Sequence, residues 1–359
     1  MKKLSICIPT YNRKEFLNEL LINIQTELES GGLANDVEVN VLDNLSTDKT
    51  LDLKKEFPNV NIQQRTDHVE ANQNFIDVCE MATGEYIHLI GDDDFYCPGA
   101  VAKLVEILNS NSNQSGLFLL NFKQVKKNIG EDNVDILSDG VILEEKSQIK
   151  NFKHINDLTG MIGNFEVLGF ISANCMKRDS VNKINYKNFM GMFDQIYWIL
   201  KSQIGKPVTL VTETIVCQRQ ANQREDQDYD HFRTRAFSFL SFIEMFNQLI
   251  DENVVSLDFV SSLSSKIKLK TPMNEKNFQN TIRWYFRCFV VNDLIRQKDL
   301  FYLRYICSKL IDETVCKYQI SQLNEILSFL HIFSKHIERN IENKISAKQI
   351  NEFVASLSR

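Results

Sequence analysis

The sequence has little proline, five residues in 359, and only 13 glycines, so neither a collagen-like repeat nor a flexible linker array fits it. It has no run of the roughly 18 uninterrupted apolar residues that a membrane-spanning helix needs. Lysines 2 and 3 precede an apolar run that stops at Pro9. That run lacks the length and small-residue cleavage site of a secretory signal, which points to the cytoplasm. The eight cysteines (7, 79, 97, 175, 217, 288, 307 and 316) include no CxxC pair. Scattered among apolar neighbours, they read as free thiols in a reducing compartment, and a zinc site is not expected. Fixed-period repeats and low-complexity tracts are absent as well.

What is there is globular: 43% hydrophobic and 25% charged residues, in a length suited to two ordinary domains or one large one. The 24 phenylalanines suggest thick cores or apolar contact surfaces. The net charge of −6 is unevenly spread. Residues 231–359 carry 18 Lys and Arg against 13 Asp and Glu, or +5, leaving −11 for residues 1–230. Nothing in this balance points to nucleic acid; it suggests different partners for the two parts.

Strand and helix signals alternate over the first 125 residues. Apolar or alternating runs at 4–9, 37–43, 60–65, 86–91 and 116–125 read as strands. Helical periodicity is found at 14–30, 46–57, 70–82 and 99–110. Such alternation implies right-handed crossovers and a mainly parallel sheet covered on both faces. In these sheets ligands bind beyond the C-terminal ends of the strands. Three polar stretches fall there: "PTYNR" (9–13), "DNLSTD" (43–48) and "GDDD" (91–94). Residues 126–190 are less regular, with a hairpin expected in "VDILSDGVIL" and a helix at 192–203. Residues 207–220 are β-rich, and helical patterns dominate from 232 on.

Three adjacent carboxylates repel one another, so Asp92, Asp93 and Asp94 mean either an exposed turn or a cation site. The rim as a whole has the chemistry of a nucleoside diphosphate site. Asp43 can accept an imide N–H or a ribose hydroxyl. The backbone of Pro9, Thr10 and Tyr11 can cradle a base, with Tyr11 as a stacking surface, and Arg13 lies on the same rim. Asp92, Asp93 and Asp94 can hold Mg²⁺ or Mn²⁺, whose other positions take diphosphate oxygens.

"SICIPTYNR", "VLDNLSTDKT" and "ATGEYIHLIGDDDFYCPGAV", in this order, closely resemble the nucleotide-sugar half of family 2 glycosyltransferases of the GT-A fold. The Gly-Asp-Asp-Asp variant is similar to the abequosyltransferase-like branch. The resemblance covers residues 1–125 well and 126–225 loosely. It implies an α/β GT-A domain over 1–230, with a nucleotide-sugar half (1–125) and an acceptor half (126–230), followed by a helical region, 231–359. It implies nucleoside binding by Asp43, a DXD metal site at Asp94 and Asp92 with Asp93 beside it, and a nucleotide contact from Asn74. Gly91 and Asn44 stand where Asp is common in that family.

Family 2 enzymes invert the anomeric centre, which takes a carboxylate base, and the resemblance implies that this base lies about 100 residues after the metal motif. Asp194 in "GMFDQIYWIL" stands at that distance, with Phe193 in place of the usual Glu; the other reading of Asp194 is a helix N-cap. Arg219 or Arg224 in "CQRQANQRED" would close over the diphosphate. His68 and His88 read as structural, and His231 as a candidate late metal ligand.

The resulting expectation is an inverting, Mn²⁺- or Mg²⁺-dependent enzyme. It moves a sugar, with UDP as the default carrier, to a glycan or lipid-linked oligosaccharide acceptor of a bacterial surface polymer. The alternatives are a nucleotidyltransferase, which the glycine-free "PTYNRKEF" disfavours, and a catalytically silent helical scaffold. Arg283, Trp284, Tyr285, Arg287, Arg296, Lys298 and Arg304 read either as a core or self-association helix or as a peripheral contact with anionic lipid.

Overall fold

The computed structural model describes residues 1–110, 115–131, 133–138, 149–158, 166–181, 194–220, 245–246, 248–256 and 258–259. The chain divides into two compact units, Met1–Tyr186 with Trp198–Gln223, and Lys187–Tyr197 with Arg224–Arg359.

The first unit opens with strand β1 (Leu4–Thr10), helix α1 (Lys14–Gly31), β2 (Val37–Asp43) and the short helix α2 (Leu53–Glu56). Next come β3 (Asn61–Gln64), α3 (Ala71–Glu80), β4 (Tyr86–Leu89), β5 (Phe95–Tyr96) and α4 (Ala100–Ser110). The remainder is β6 (Leu117–Lys126), β7 (Asp135–Ser138), β8 (Ile149–Phe152), α5 (Glu166–Gly169), β9 (Asn174–Lys177), α6 (Arg178–Val181), α7 (Gln195–Lys201) and β10 (Val208–Arg219). The division between the two units falls inside α7.

The strands form one sheet in the order β3-β2-β1-β4-β9-β6-β10-β5, with β7 beside β6 and β8 beside β10. β1 is central to the parallel part, and all seven of its residues are buried. Its register with β2 sets Thr10 opposite Asp43, and its pairing with β4 sets Cys7 opposite Leu89. The polar stretches that follow all three strands therefore leave the sheet at one edge. Helix α1 covers the sheet with Leu17, Leu20, Leu21 and Ile24 and ends where Gly32 takes a left-handed φ of 63°. It packs on α4, and α3 packs on β1, β2 and β4.

The sheet is mixed rather than mainly parallel. β9 runs antiparallel between β4 and β6, joining the two halves through the pairs His88–Cys175 and Phe118–Cys175. β8 is antiparallel to β10. Two-residue β5, invisible as periodicity, pairs antiparallel with β10 through Tyr96–Val216 and Phe95–Cys217. The helix expected over 46–57 is confined to α2 and a preceding 3₁₀ turn, Thr50–Asp52. Ser46 is drawn away to Asp43 and Asn12, and Asp48 accepts from the Thr50 N–H instead. Of the expected hairpin, β7 is described, antiparallel to β6.

In the second unit, Tyr197 donates its hydroxyl to Glu252 at 3.1 Å and accepts from Gln248 Nε2 at 3.1 Å. Met245, Phe246, Leu249, Val254, Val255 and Phe259 are buried. Arg224, His231 and the 283–304 segment lie outside the described residues, as do the helical patterns expected beyond 259. Among the described residues no helix is long and apolar enough to cross a membrane.

Candidate functional site

The first two polar loops at the C-terminal edge of the sheet are tied to each other. Asn12, at φ 51°, donates its N–H to Ser46 Oγ at 2.7 Å and accepts from the Thr47 N–H at 2.8 Å. Asp48 accepts from the Lys14 N–H at 2.8 Å, satisfying a donor that opens α1. Pro9 is buried within β1. Asp43 is fully buried at the end of β2; its Oδ1 accepts from the Ser46 N–H and hydroxyl, and its Oδ2 accepts from Gln64 Nε2 at 2.8 Å. Asn44 does not stand in for a second carboxylate. Its amide donates to Val69 O at 2.8 Å and accepts from the Val69 N–H at 3.0 Å, holding the 65–70 loop.

Asn74 on α3 donates to Leu42 O at 3.1 Å, one residue before Asp43. Its buried Oδ1 has no hydrogen-bond partner among the described residues. Tyr11 is 45% exposed, and its ring lies 4.5 Å from that of His68. His68 Nδ1 donates to Asn44 O at 3.1 Å. The sequence marks His68 with nothing more than a loop position, yet it completes an aromatic platform on this rim.

The aspartate turn follows β4 and is closed by Asp94 N–H donating to Gly91 O at 3.1 Å. A Cβ at Gly91 would lie 3.0 Å from Asp94 Oδ2 and 3.2 Å from Asp93 Oδ1, so glycine is what lets both carboxylates crowd this point. A side chain here would make Asp93 and Asp94 shift by a few tenths of an ångström. Asp92 and Asp94 are buried, and the Asp93 side chain is about a third exposed. Thr10 Oγ1 donates to Asp92 Oδ2 at 2.7 Å. Arg13 Nη1 donates to Asp92 Oδ1 at 3.0 Å and to Asp93 Oδ2 at 2.8 Å. Asp94 accepts from Ser172 Oγ at 2.6 Å and from the Arg219 N–H at 3.2 Å.

Burial pushes the Asp92 carboxyl up to about 6, with Arg13 opposing the rise and Asp93 adding to it. Burial and then Asp93 hold Asp94 well above the carboxylate range. Burial works against the Arg13 charge, but Asp92 and Asp93 together hold its pKa above the ordinary value. With one guanidinium for three carboxyls in a poorly solvated place, ionising all three is costly, and a divalent cation would offset that cost. Among the described residues no three His, Cys, Asp or Glu side chains converge as an all-protein cage. An ion of the Mg²⁺ type needs no such cage: one or two carboxylates hold it together with substrate phosphates. The donor set fits that mode.

Arg219 does not sit in an open loop. It ends β10 and is 8% exposed. Its guanidinium donates to Asp93 O at 2.9 Å, to Lys127 O at 3.0 Å and to Glu19 Oε2 at 2.5 Å, flanked by the rings of Phe16 and Phe95. Part-burial acts against the Glu19 charge, yet the Gly130 N–H, Arg219 and Lys127 hold its carboxyl below the usual range. Arg219 thus braces the aspartate turn from behind, and its contacts leave it inside the fold. Asp194 is buried in the turn before α7, and its carbonyl accepts from the Tyr197 N–H at 3.1 Å. It belongs to the second unit, so the first unit holds every other residue named for the site that lies among those described.

The chain is 24% identical over 359 residues to abequosyltransferase RfbV of Salmonella typhimurium, covering 93% of this chain and 99% of that protein. It is 32% identical over 130 residues to poly(ribitol-phosphate) beta-glucosyltransferase of Bacillus spizizenii, covering 34% of this chain and 19% of that one. The solved structure of S. aureus TarS 1-349 superposes with a TM-score of 0.60 at 14% identity, over 98% of this chain and 89% of that one. A second structure of that fragment, in complex with UDP-GlcNAc, gives 0.59. The fold is GT-A, a mixed sheet flanked by helices. Residues 5–182 match the model of Glycosyl transferase family 2, and the chain belongs to that family, in its abequosyltransferase-like branch.

Proposed function

We propose that this glycosyltransferase moves a sugar, with inversion, from a nucleoside diphosphate to a hydroxyl of a bacterial surface glycan precursor. The observation that carries the reading is the pair of buried carboxylates, Asp92 and Asp94, on the same sheet edge as Asp43 and the Thr10–Arg13 loop. The names of the relatives, an abequosyltransferase and a transferase acting on poly(ribitol-phosphate), favour a surface polymer as acceptor. UDP is favoured as carrier by the UDP-GlcNAc complex of TarS.

In this reading Asp43 accepts from the nucleoside, Asn74 offers its vacant Oδ1 beside it, and Tyr11 stacks on the base. Asp94 and Asp92 would hold Mn²⁺ or Mg²⁺, which neutralises the departing diphosphate when bound. Arg13, Asp93 and Thr10 keep those carboxylates in place. Asp194 takes the acceptor hydroxyl proton as the new bond to the anomeric carbon forms and the sugar–phosphate bond breaks on the opposite face. The test is thermal denaturation across a set of nucleoside diphosphates with and without Mn²⁺. A ligand at 100 times its dissociation constant adds about 2.7 kcal/mol. Stabilisation by one nucleotide that requires Mn²⁺ supports the reading; no nucleotide effect under any condition overturns it.

A further inference from the structure

The 3₁₀ turn Ile171–Ala173 brings a residue of the second half of the family domain onto the aspartate turn. Ser172 is fully buried. The Gly91 N–H donates to its Oγ at 2.9 Å, and the same Oγ donates to Asp94 Oδ2 at 2.6 Å. The hydroxyl accepts from the amide with one lone pair and turns its proton to the carboxylate. One hydroxyl therefore clamps both ends of the Gly91–Asp94 turn.

Ser172 is itself held. Its carbonyl can only accept, so His88 Nε2, 2.9 Å away, carries a proton. Burial keeps the His88 ring neutral, with a pKa lowered to about 4, so Nδ1 accepts from the Tyr96 hydroxyl at 2.5 Å. Tyr96 lies two residues beyond Asp94 and is also buried. The chain from Asp94 to Tyr96 and the bonds through His88 and Ser172 back to Asp94 close a ring.

We infer that Ser172 is a positioning residue for the metal-binding carboxylate: its hydroxyl fixes Asp94 in one orientation for the divalent cation. This rests on the reading of Asp94 as a metal ligand given above. Ser172 and the Arg219 N–H each satisfy one oxygen of Asp94 and leave its other lone pairs for a cation. Contacts of this kind orient ligands and tune metal affinity. The cation site is then completed from outside the three motifs, by a residue 78 positions beyond Asp94.

The experiment measures binding of Mn²⁺ to the full-length protein, with and without UDP, by electron paramagnetic resonance, with melting temperatures alongside. Ser172→Ala is expected to weaken Mn²⁺ binding about 10- to 100-fold, the usual cost of losing a hydrogen bond to a ligand, while melting close to wild type. Tyr96→Phe opens the ring on its far side; it is expected to lower the melting temperature and leave Mn²⁺ affinity within about threefold. A folded Ser172→Ala protein with wild-type affinity overturns the inference, and so does an equal loss of affinity in Tyr96→Phe. If Ser172→Ala melts far below wild type, Ser172→Thr decides: wild-type affinity supports the inference, and a loss equal to that of the alanine variant overturns it. Wild-type protein that binds no Mn²⁺ overturns the metal reading and this inference together. Binding that Asp94→Asn abolishes and Ser172→Ala leaves intact overturns this inference alone.

Discussion

Arg13 and Asp92 are 79 residues apart in the chain and 3.0 Å apart in space, Nη1 donating to Oδ1, and the same nitrogen reaches Asp93 at 2.8 Å. One guanidinium answers two carboxylates, one of them buried. Arg13→Gln should therefore destabilise the metal-free protein by about 1–3 kcal/mol, because Asp92 loses its counter-charge. Mn²⁺ should then raise the melting temperature more in the variant than in wild type. Melts in chelator and in Mn²⁺ check this; an equal rise in both proteins would count against it.

Asp94 calls for asparagine rather than alanine as the test substitution. Alanine would leave the Ser172 hydroxyl and the Arg219 N–H without their buried acceptor. Asp94→Asn keeps shape, an oxygen to accept from the Arg219 N–H and an amide that can donate to Ser172 Oγ, and it removes a charge that burial disfavours. Its metal-free stability should equal or exceed that of wild type, while Mn²⁺-dependent nucleotide binding is lost. Denaturant titration beside nucleotide binding measures both.

Asp194→Asn should bind donor as wild type does and lose transfer by about 10²- to 10⁴-fold, the usual worth of general-base catalysis. Single-turnover transfer against donor affinity separates the two effects. Transfer near the wild-type rate would remove Asp194 from the role.

His88 gives the protein an acid-sensitive core. Its folded pKa, about 4, lies below the unfolded value, so the unfolded chain binds the extra proton first. The stability that follows is complete above about pH 6.5 and is lost as pH falls from there toward 4. Between pH 7 and 5 the loss from this group is about 2 kcal/mol. Urea denaturation at the two pH values should find a smaller loss in His88→Gln; an unchanged loss would place the acid sensitivity elsewhere.

The β1–α1–β2 start, the α4 helix and the three rim stretches were legible because each is written in local periodicity and adjacent residues. β5 was not, since two residues carry no period; only its pairing with Val216 and Cys217 makes it a strand. The antiparallel insertion of β9 is hidden for a related reason: Asn174–Lys177 has four residues, polar at both ends, and its direction depends on partners far along the chain. Arg219 reads as a loop cation in the sequence because nothing nearby predicts Glu19, 200 residues earlier, or the Asp93 carbonyl as its partners. Ser172 gave no signal, being one serine among apolar neighbours.

The stitching of Asn12 to Ser46 and Thr47, and of Lys14 to Asp48, bears on redesign. Residues 10–14 and 43–50 form a single lip built from two loops. Transplanting one loop from a relative with a different nucleotide preference would leave the Ser46 hydroxyl, the Thr47 amide or the Asp48 carboxylate facing a stranger. A donor-switching graft must carry the two loops as one cassette, and a library that varies them separately will mostly sample broken lips.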